Sequence, residues 1–193
     1  IIHGDHIIAV LAKEMKLSKE LLQNQVIGTS MSNLGLELFL DSININLYRT
    51  KVGDRYILDE MIKTKTNLGG EPSGHILLTD YAKTGDGLLT AIKILSLLKK
   101  SGLKASEYLR PFQLVPQSLK NIKNIDKKIL ENKVVKKMIL DQERNLGVNG
   151  RVLVRASGTE DLIRIMVEAK NQKQVQEIIE NIASTIVEQN NIQ

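Results

Sequence analysis

Residues 25–50 read QVIGTSMSNLGLELFLDSININLYRT, and this stretch decides the fold class. At its two ends, residues 25–29 are predicted to form a short buried strand and residues 46–50 a second strand. Between them lies a predicted helix with Ser32 as its cap. The side chains predicted to face inward from this helix are Leu34, Leu38 and Phe39. A strand, a helix and a second strand in succession indicate an α/β layer.

The neighbouring segments continue this alternation in both directions. A helix capped by Asp5 is predicted near the start, and strands over 67–71 and 76–79 are predicted around a turn. Residues 85–87 read GDG and are predicted to begin a long helix. Its predicted apolar face consists of Leu88, Ala91, Ile92, Leu95 and Leu98. The expected fold over residues 1–111 is a three-layer α/β domain with a mixed sheet.

The pattern changes after Pro111, and residues 112–193 are expected to form a small α+β domain. A strand over 114–122 is placed at a sheet edge, because Pro116 cannot donate a ladder hydrogen bond. A lysine-rich helix, two strands and a final helix follow. The two strands are predicted over 151–156 and 163–168. The final helix is predicted to be capped by Asn171 with Gln174 and to bury Val175, Ile178, Ile179, Ile182 and Ile186.

The composition limits the classes of function. The 193 residues are 42% hydrophobic and 25% charged, which is ordinary for a globular protein. The sequence has no cysteine, which excludes disulfides, thiolate catalysis and Cys-ligated zinc and fits the cytoplasm. The net charge of +5 favours anionic ligands, but the lysines are scattered and aromatics are few, so nucleic-acid binding is not expected. No membrane span or signal peptide is expected either. The start at Ile1 rather than Met fits either a trimmed terminus or a part of a longer protein, and the motifs described below favour the longer protein.

Residues 69–75 read GGEPSGH, a polar and glycine-rich segment between two apolar strands. Glycine lets the backbone approach a ligand closely. Glu71 can accept hydrogen bonds, Ser73 can donate and accept them, and His75 can donate, so the segment can bracket the hydroxyls of a sugar. The alternative is a tight turn in which His75 is only the polar start of the next strand.

Residues 155–160 read RASGTE and are followed by Arg164. Two hydroxyls, a glycine with accessible backbone N–H groups and flanking guanidinium groups suit a phosphate, which arginine binds with a bidentate fork. The alternative is a hairpin turn with surface charges. A third segment, 51–56, reads KVGDRY, and its residues alone favour a helix cap at Asp54 with Arg55 in solvent.

Five motifs in this order resemble the α-D-phosphohexomutase superfamily, most closely its phosphoglucosamine mutase branch. The motifs are MSNLG at 31–35, VGDRY at 52–56, GExSGH at 70–75, TGDG at 84–87 and RxSGTE at 155–160. The superfamily has four domains, and this chain resembles the third and fourth, with a short piece of the second at its start. The resemblance covers nearly the whole chain.

The resemblance implies a role for each candidate residue. Those implied to bind or orient the sugar are Glu71, Ser73, His75, Gly53, Asp54 and Arg55. Those implied to hold its non-reacting phosphate are Arg155, Ser157, Gly158, Thr159 and Arg164. No catalytic residue and no metal ligand is implied within this chain, because the family's phosphoserine and its Asp-rich magnesium loop precede the part that the chain resembles.

The activity implied by the resemblance is the interconversion of glucosamine 6-phosphate and glucosamine 1-phosphate. It would use a phosphoserine, glucosamine 1,6-bisphosphate as the intermediate and Mg²⁺ as the cofactor, and it would feed UDP-N-acetylglucosamine and cell-wall synthesis. The implied partners are a phosphorylated amino sugar, the N-terminal half of the same protein and a second copy in a homodimer. The chain alone is expected to be inactive, and neither nucleic acid nor a membrane is expected as a partner.

Two positions depart from the branch. Pro72 stands where a polar residue such as Gln or Asn is usual, which removes a side-chain hydrogen bond and stiffens the loop. Asp161 stands where Pro is usual, so its carboxylate would repel a bound phosphate, point to solvent or pair with Arg164. Two alternatives stay open. Because of Pro72, one is a sibling enzyme that acts on glucose or mannose phosphates. Because the phosphoserine and the metal loop are not in this chain, the other is a sugar-phosphate-binding module without catalysis.

Overall fold

The computed structural model describes residues 1–158 and 160–192, and the chain forms two compact units. The first is Ile1–Leu114 and the second Val115–Gln193. The sequence placed this division between residues 111 and 112. The three residues that follow Pro111 lie in the first unit, where the ring of Phe112 packs against His6 and Phe39 with centroid separations of 4.7 and 5.8 Å.

The first unit contains a four-stranded mixed sheet and five helices among its described residues. The helices are α1 (Gly4–Leu17), α2 (Leu34–Ser42), α3 (Asp54–Thr64), α4 (Gly87–Ser101) and α5 (Ala105–Tyr108). The strands are β1 (Gln25–Thr29), β2 (Asn46–Thr50), β3 (Leu68–Gly70) and β4 (Ile76–Leu78). Their order is β2-β1-β3-β4, with β1 parallel to β2 and β3 and with β4 antiparallel to β3.

Helices cover both faces of this sheet, which confirms the predicted three-layer α/β class. On one face, α1, α2 and α4 contribute side chains to one core with the strands, represented by Ile8, Leu36 and Ile94. On the other face, α3 packs Ile57 and Met61 against β1 and β4. Strands β1, β3 and β4 are therefore almost entirely buried between two apolar layers, whereas the edge strand β2 is only partly buried and carries polar residues.

Three predicted helix caps are wrong, each by one or two positions: Asp5 for α1, Ser32 for α2 and Asp54 for α3, whose cap is Gly53. The cap of α1 is His3, whose Nδ1 accepts a hydrogen bond from the backbone N–H of Asp5 at 3.3 Å. The cap of α2 is Asn33, whose Oδ1 accepts from the N–H of Gly35 at 2.9 Å. Asp5 is fully buried instead and accepts from the N–H of Asn33, while the Ser32 hydroxyl accepts from the N–H of Thr29.

The inward faces of two helices also differ from the prediction. Leu38 is exposed in α2, where Leu36 and Leu40 are buried instead. In α4, the predicted apolar face is largely exposed at Leu88, Ile92 and Leu95, and the helix buries Ile94 and Thr90. Despite these exposed apolar side chains, no helix in the described part of the chain is long and apolar enough to cross a bilayer.

The second unit is a three-stranded antiparallel sheet packed against two helices, as predicted. Its elements are β5 (Gln117–Lys123), α6 (Lys133–Leu146), β6 (Arg151–Ala156), β7 (Leu162–Glu168) and α7 (Gln172–Ile192). The order β5-β7-β6 places β5 at an edge. The predicted cap of α7 is confirmed, because Asn171 Oδ1 accepts from the N–H of Gln174 at 2.9 Å, and all five residues of its predicted stripe are buried.

His6 makes the stability of the first unit sensitive to pH. Burial lowers the pKa of His6 below its usual 6.5, and the charges of His3 and Arg110 act in the same direction. The unfolded chain therefore binds a proton more readily than the folded chain, so this residue contributes stability above pH 6.5 that is lost as the pH falls below it. We expect the melting temperature of the chain to fall more steeply between about pH 6.5 and pH 5 than that of a His6→Gln variant. Parallel curves for the two proteins would contradict this.

Candidate functional site

Three loops of the first unit meet at one edge of its sheet. Strands β1, β2 and β3 run parallel, so the segments that follow them, 30–33, 51–53 and 71–75, all start from the carboxyl edge. Ligands of α/β sheets bind at this edge, because the loops there can vary without disturbing the core.

The 71–75 loop is a tight connection between β3 and β4. The N–H of Glu71 donates to the carbonyl of His75, and the N–H of Gly74 donates to the carbonyl of Glu71, both at 2.9 Å. Gly74 has a φ of +95°, a conformation that side-chain-bearing residues rarely adopt. The loop is thus a tight turn, as in the alternative interpretation of this segment, and Ser73 is exposed at its tip.

The 51–55 segment contacts the 71–75 loop directly. The N–H of Gly53 donates to Glu71 Oε1 at 3.0 Å, and His75 Nε2 lies 3.6 Å from Asp54 Oδ2. Gly53 has a φ of +131° and is the cap residue of α3, so the helix begins at Asp54 beside the imidazole. Two carboxylates, an imidazole and a backbone N–H are therefore brought together from two separate loops.

Arg55 and Ser73 are the two predicted sugar-site residues whose side chains do not join this cluster. The guanidinium of Arg55 is directed along α3 to Asp59, with a nitrogen–oxygen distance of 3.8 Å, and its side chain is 87% exposed. Ser73 lies on the same loop as Glu71 and His75, with its hydroxyl on the exposed tip.

The start of α1 supports the 71–75 loop from behind, which the sequence did not predict. The N–H of Gly4 donates to the carbonyl of Pro72 at 3.1 Å. A methyl group at Gly4 would place its carbon 2.4 Å from the carbonyl oxygen of Glu71. Asp5 Oδ2 accepts from the N–H of Asn33 at 2.7 Å, so the same helix end also holds the segment after β1.

In the second unit, Arg155 and Arg164 lie directly opposite each other on the antiparallel strands β6 and β7. Side chains in such a pair point to the same face and lie close together, and like charges in this position repel. Arg164 Nη2 donates a hydrogen bond to Glu160 Oε2. The Nε atom of Arg164 is buried and has no hydrogen-bond partner in the part of the chain that is described. A bound anion would relieve the repulsion between the two guanidinium groups.

The turn between β6 and β7 carries the remaining predicted phosphate residues. The N–H of Ser157 donates to the carbonyl of Leu162, and its hydroxyl accepts from the N–H of Glu160 at 3.2 Å. Gly158 is exposed with open space around it. Thr159, also predicted to bind phosphate, lies outside the described residues.

Asp161 pairs with a lysine. Its Oδ1 lies 3.9 Å from Lys127 Nζ, whereas Arg164 pairs with Glu160. The Asp161 carboxylate is therefore directed toward the lysine rather than toward the two opposed arginines.

Family models match both units. The model described as phosphoglucomutase/phosphomannomutase, alpha/beta/alpha domain III, matches residues 3–115, and the model for the C-terminal domain matches residues 119–185. Each match coincides with one of the two compact units. The resemblance inferred from the five motifs is therefore confirmed over most of the chain.

Curated proteins with high sequence identity to this chain are described as phosphoglucosamine mutases. The chain is 46% identical over 186 residues to the phosphoglucosamine mutase of Rhizobium johnstonii, and 45% identical over 186 residues to that of Agrobacterium fabrum. In both cases the match covers 96% of this chain and 41% of the relative. The chain thus spans about two fifths of the length of these relatives.

Solved structures show the same fold at low identity. The substrate complex of an N-acetylglucosamine-phosphate mutase superposes with a TM-score of 0.77 at 19% identity, covering 95% of this chain and 44% of that one. The Aspergillus fumigatus N-acetylphosphoglucosamine mutase in complex with GlcNAc-6P and magnesium gives a TM-score of 0.78 at 17% identity, covering 94% of this chain and 46% of that one.

Proposed function

Because this chain belongs to the phosphoglucomutase/phosphomannomutase family, we propose that it is the substrate-binding part of a mutase that interconverts glucosamine 6-phosphate and glucosamine 1-phosphate. The structural observation that carries the proposal is the opposed pair Arg155 and Arg164, whose repulsion a phosphate would relieve. The identity to phosphoglucosamine mutases over nearly the whole chain supports the choice of amino sugar.

The residues of this chain act by positioning the substrate. The residues proposed to hold the phosphate that does not react are Arg155, Ser157, Gly158, Thr159 and Arg164. The cluster around Glu71 and His75 binds the sugar hydroxyls, with Glu71 as acceptor and His75 as donor. Holding a substrate in the reactive orientation supplies several kcal/mol of rate enhancement without any covalent step on these residues.

The chemical step is proposed to use groups outside this chain. A phosphoserine donates its phosphoryl group to the sugar, glucosamine 1,6-bisphosphate forms, and the other end of the sugar returns a phosphoryl group to the serine. Within residues 1–158 and 160–192, no three His, Asp or Glu side chains lie close enough together to hold a metal ion. These residues therefore do not fit the Mg²⁺ that the family implies, and none of their proposed roles involves it.

A sibling activity on glucose or mannose phosphates is favoured by one observation. Pro72 lies on the loop that is proposed to bind the sugar, and its only polar atom, the carbonyl oxygen, already accepts from Gly4. A polar side chain at this position could contact the 2-substituent of the sugar, whereas proline cannot.

The proposal is tested by calorimetric titration of the 193-residue chain with glucosamine, glucose and mannose 6-phosphates and with inorganic phosphate. We expect glucosamine 6-phosphate to bind about tenfold more tightly than inorganic phosphate, since only the sugar engages the Glu71 cluster. Tighter binding of another sugar phosphate would favour the sibling activity. No saturable binding of any of them would contradict a substrate-binding role.

The same purified chain is expected to show no mutase turnover with magnesium and the bisphosphate present. The physical reason is that positioning residues hold the substrate but do not carry a phosphoryl group between its ends. A coupled assay for glucosamine 1-phosphate measures this, with a full-length relative as the positive control. Turnover by the chain alone would overturn the assignment of the chemistry to groups outside it.

A further inference from the structure

Gly85 lies in the TGDG segment before α4, a motif to which the proposed function gives no role. A methyl group at Gly85 would place its carbon 2.3 Å from both Cε1 and Nε2 of His75, and 2.9 Å from Nδ1. Gly85 is not among the glycines with positive φ, so its backbone is one that alanine adopts readily. The glycine is therefore required for space, and the imidazole of His75 fills that space.

Two residues, Asp54 and Gly85, lie against one edge of the imidazole. Its Nε2 lies 3.6 Å from Asp54 Oδ2, and the edge that carries Nε2 and Cε1 lies against Gly85. Nε2 is enclosed and has no hydrogen-bond partner among residues 1–158 and 160–192, yet the His75 side chain as a whole is 38% exposed. One edge of the ring is thus covered while the rest is accessible to a ligand.

The segment that carries Gly85 is anchored to α4. Asp86 caps this helix, because its Oδ1 accepts from the N–H of Leu89 at 2.9 Å and its carbonyl accepts from the N–H of Thr90 at 3.0 Å. These bonds fix the backbone that follows Gly85 at the start of α4. The next glycine, Gly87, has no atom within 4 Å of the position that a methyl group would occupy.

We propose that Gly85 is a positioning residue of the sugar site, which keeps the His75 imidazole in the orientation that the sugar phosphate meets. The inference rests on the proposed function for the identity of the ligand, but the orientation of the ring does not depend on it. The three atoms nearest to an added methyl group at Gly85 all belong to this ring. Because His75 is partly exposed, the ring can rotate outward, so the site changes while the fold persists.

The test compares Gly85→Ala with the matched control Gly87→Ala in the 193-residue chain. The chain has three histidines, so the ring signals of His75 in ¹H–¹³C spectra are assigned by their loss in His75→Ala. We expect Gly85→Ala to shift these signals without ligand and to weaken glucosamine 6-phosphate binding about tenfold, the loss of one good hydrogen bond. We expect Gly87→Ala to change neither. Unshifted His75 signals in Gly85→Ala would overturn the proposal.

A double-mutant cycle separates ring positioning from a general defect of the loop. In a His75→Ala background the space beside residue 85 is empty, so adding Gly85→Ala should change neither the melting temperature nor the remaining affinity. An equal loss in both backgrounds would overturn the role of Gly85. If the His75 signals shift but no chain binds a sugar phosphate, the positioning of the ring is supported and the proposed function fails.

Discussion

Arg155→Ala is expected to weaken the binding of glucosamine 6-phosphate by about 10- to 100-fold. A hydrogen bond to a charged group contributes about 1.5–3 kcal/mol, and each 1.4 kcal/mol corresponds to roughly a factor of ten. The same substitution should leave the melting temperature within about 3 °C of the parent, because it also removes the repulsion between Arg155 and Arg164. Calorimetric titration and thermal denaturation of the chain measure the two effects.

Arg144→Ala is the matched control for this prediction. Arg144 carries the same charge in the same unit, but it lies exposed in the last turn of α6. Its removal should leave the affinity almost unchanged, which excludes a nonspecific effect of net charge. A large fall in melting temperature for Arg155→Ala with unaltered binding would refute the phosphate role.

Gly4→Ala is expected to destabilise the chain by about 3 kcal/mol and to abolish measurable sugar-phosphate binding. The added carbon would lie 2.4 Å from the carbonyl oxygen of Glu71 and 2.6 Å from both the carbonyl oxygen of Pro72 and the nitrogen of Gly74. All three are backbone atoms, so no side chain can rotate away. Either α1 or the 71–75 loop must move, and both lie at the proposed sugar site.

Chemical denaturation and titration of Gly4→Ala test this prediction, with Gly87→Ala as the glycine-to-alanine control in open space. The comparison with Gly85→Ala is informative as well, because there the added carbon meets a side chain that can rotate. We therefore expect a large loss of stability at Gly4 and a small one at Gly85. Equal stabilities of the two variants would show that the α1 end does not support the loop.

Local patterns in the sequence were sufficient to predict most of the helices and strands. The strands over 25–29 and 46–50 were predicted with their observed bounds. The first is a short apolar segment bounded by turn residues, which has few other conformations that bury it, whereas the second is only partly buried. The stripe of α7 from Val175 to Ile186 was confirmed, since five apolar residues at helical spacing define one face.

Other features depended on neighbours that are distant in the chain. The apolar arc of α4 is broad, and only its packing against the sheet decides that Ile94 is buried and Ile92 exposed. His3 rather than Asp5 caps α1, because the buried carboxylate of Asp5 is used by the N–H of Asn33. The preference of Asp for helix caps is a local property of the sequence. It therefore could not predict the hydrogen bond between Asp5 and Asn33, which are distant in the chain.

The sequence by itself determined the α/β and α+β classes, the family and the loops that carry the candidate residues, because periodicity and motif order are properties of the linear chain. Only the tertiary structure decided which side chains meet. It joined Glu71 to Gly53, placed Arg155 opposite Arg164, and directed Arg55 toward Asp59 instead of the site. It also showed why positions 4 and 85 require glycine. The space that a Cβ atom would occupy there is filled by atoms of the 71–75 loop, which is distant in the chain from Gly4.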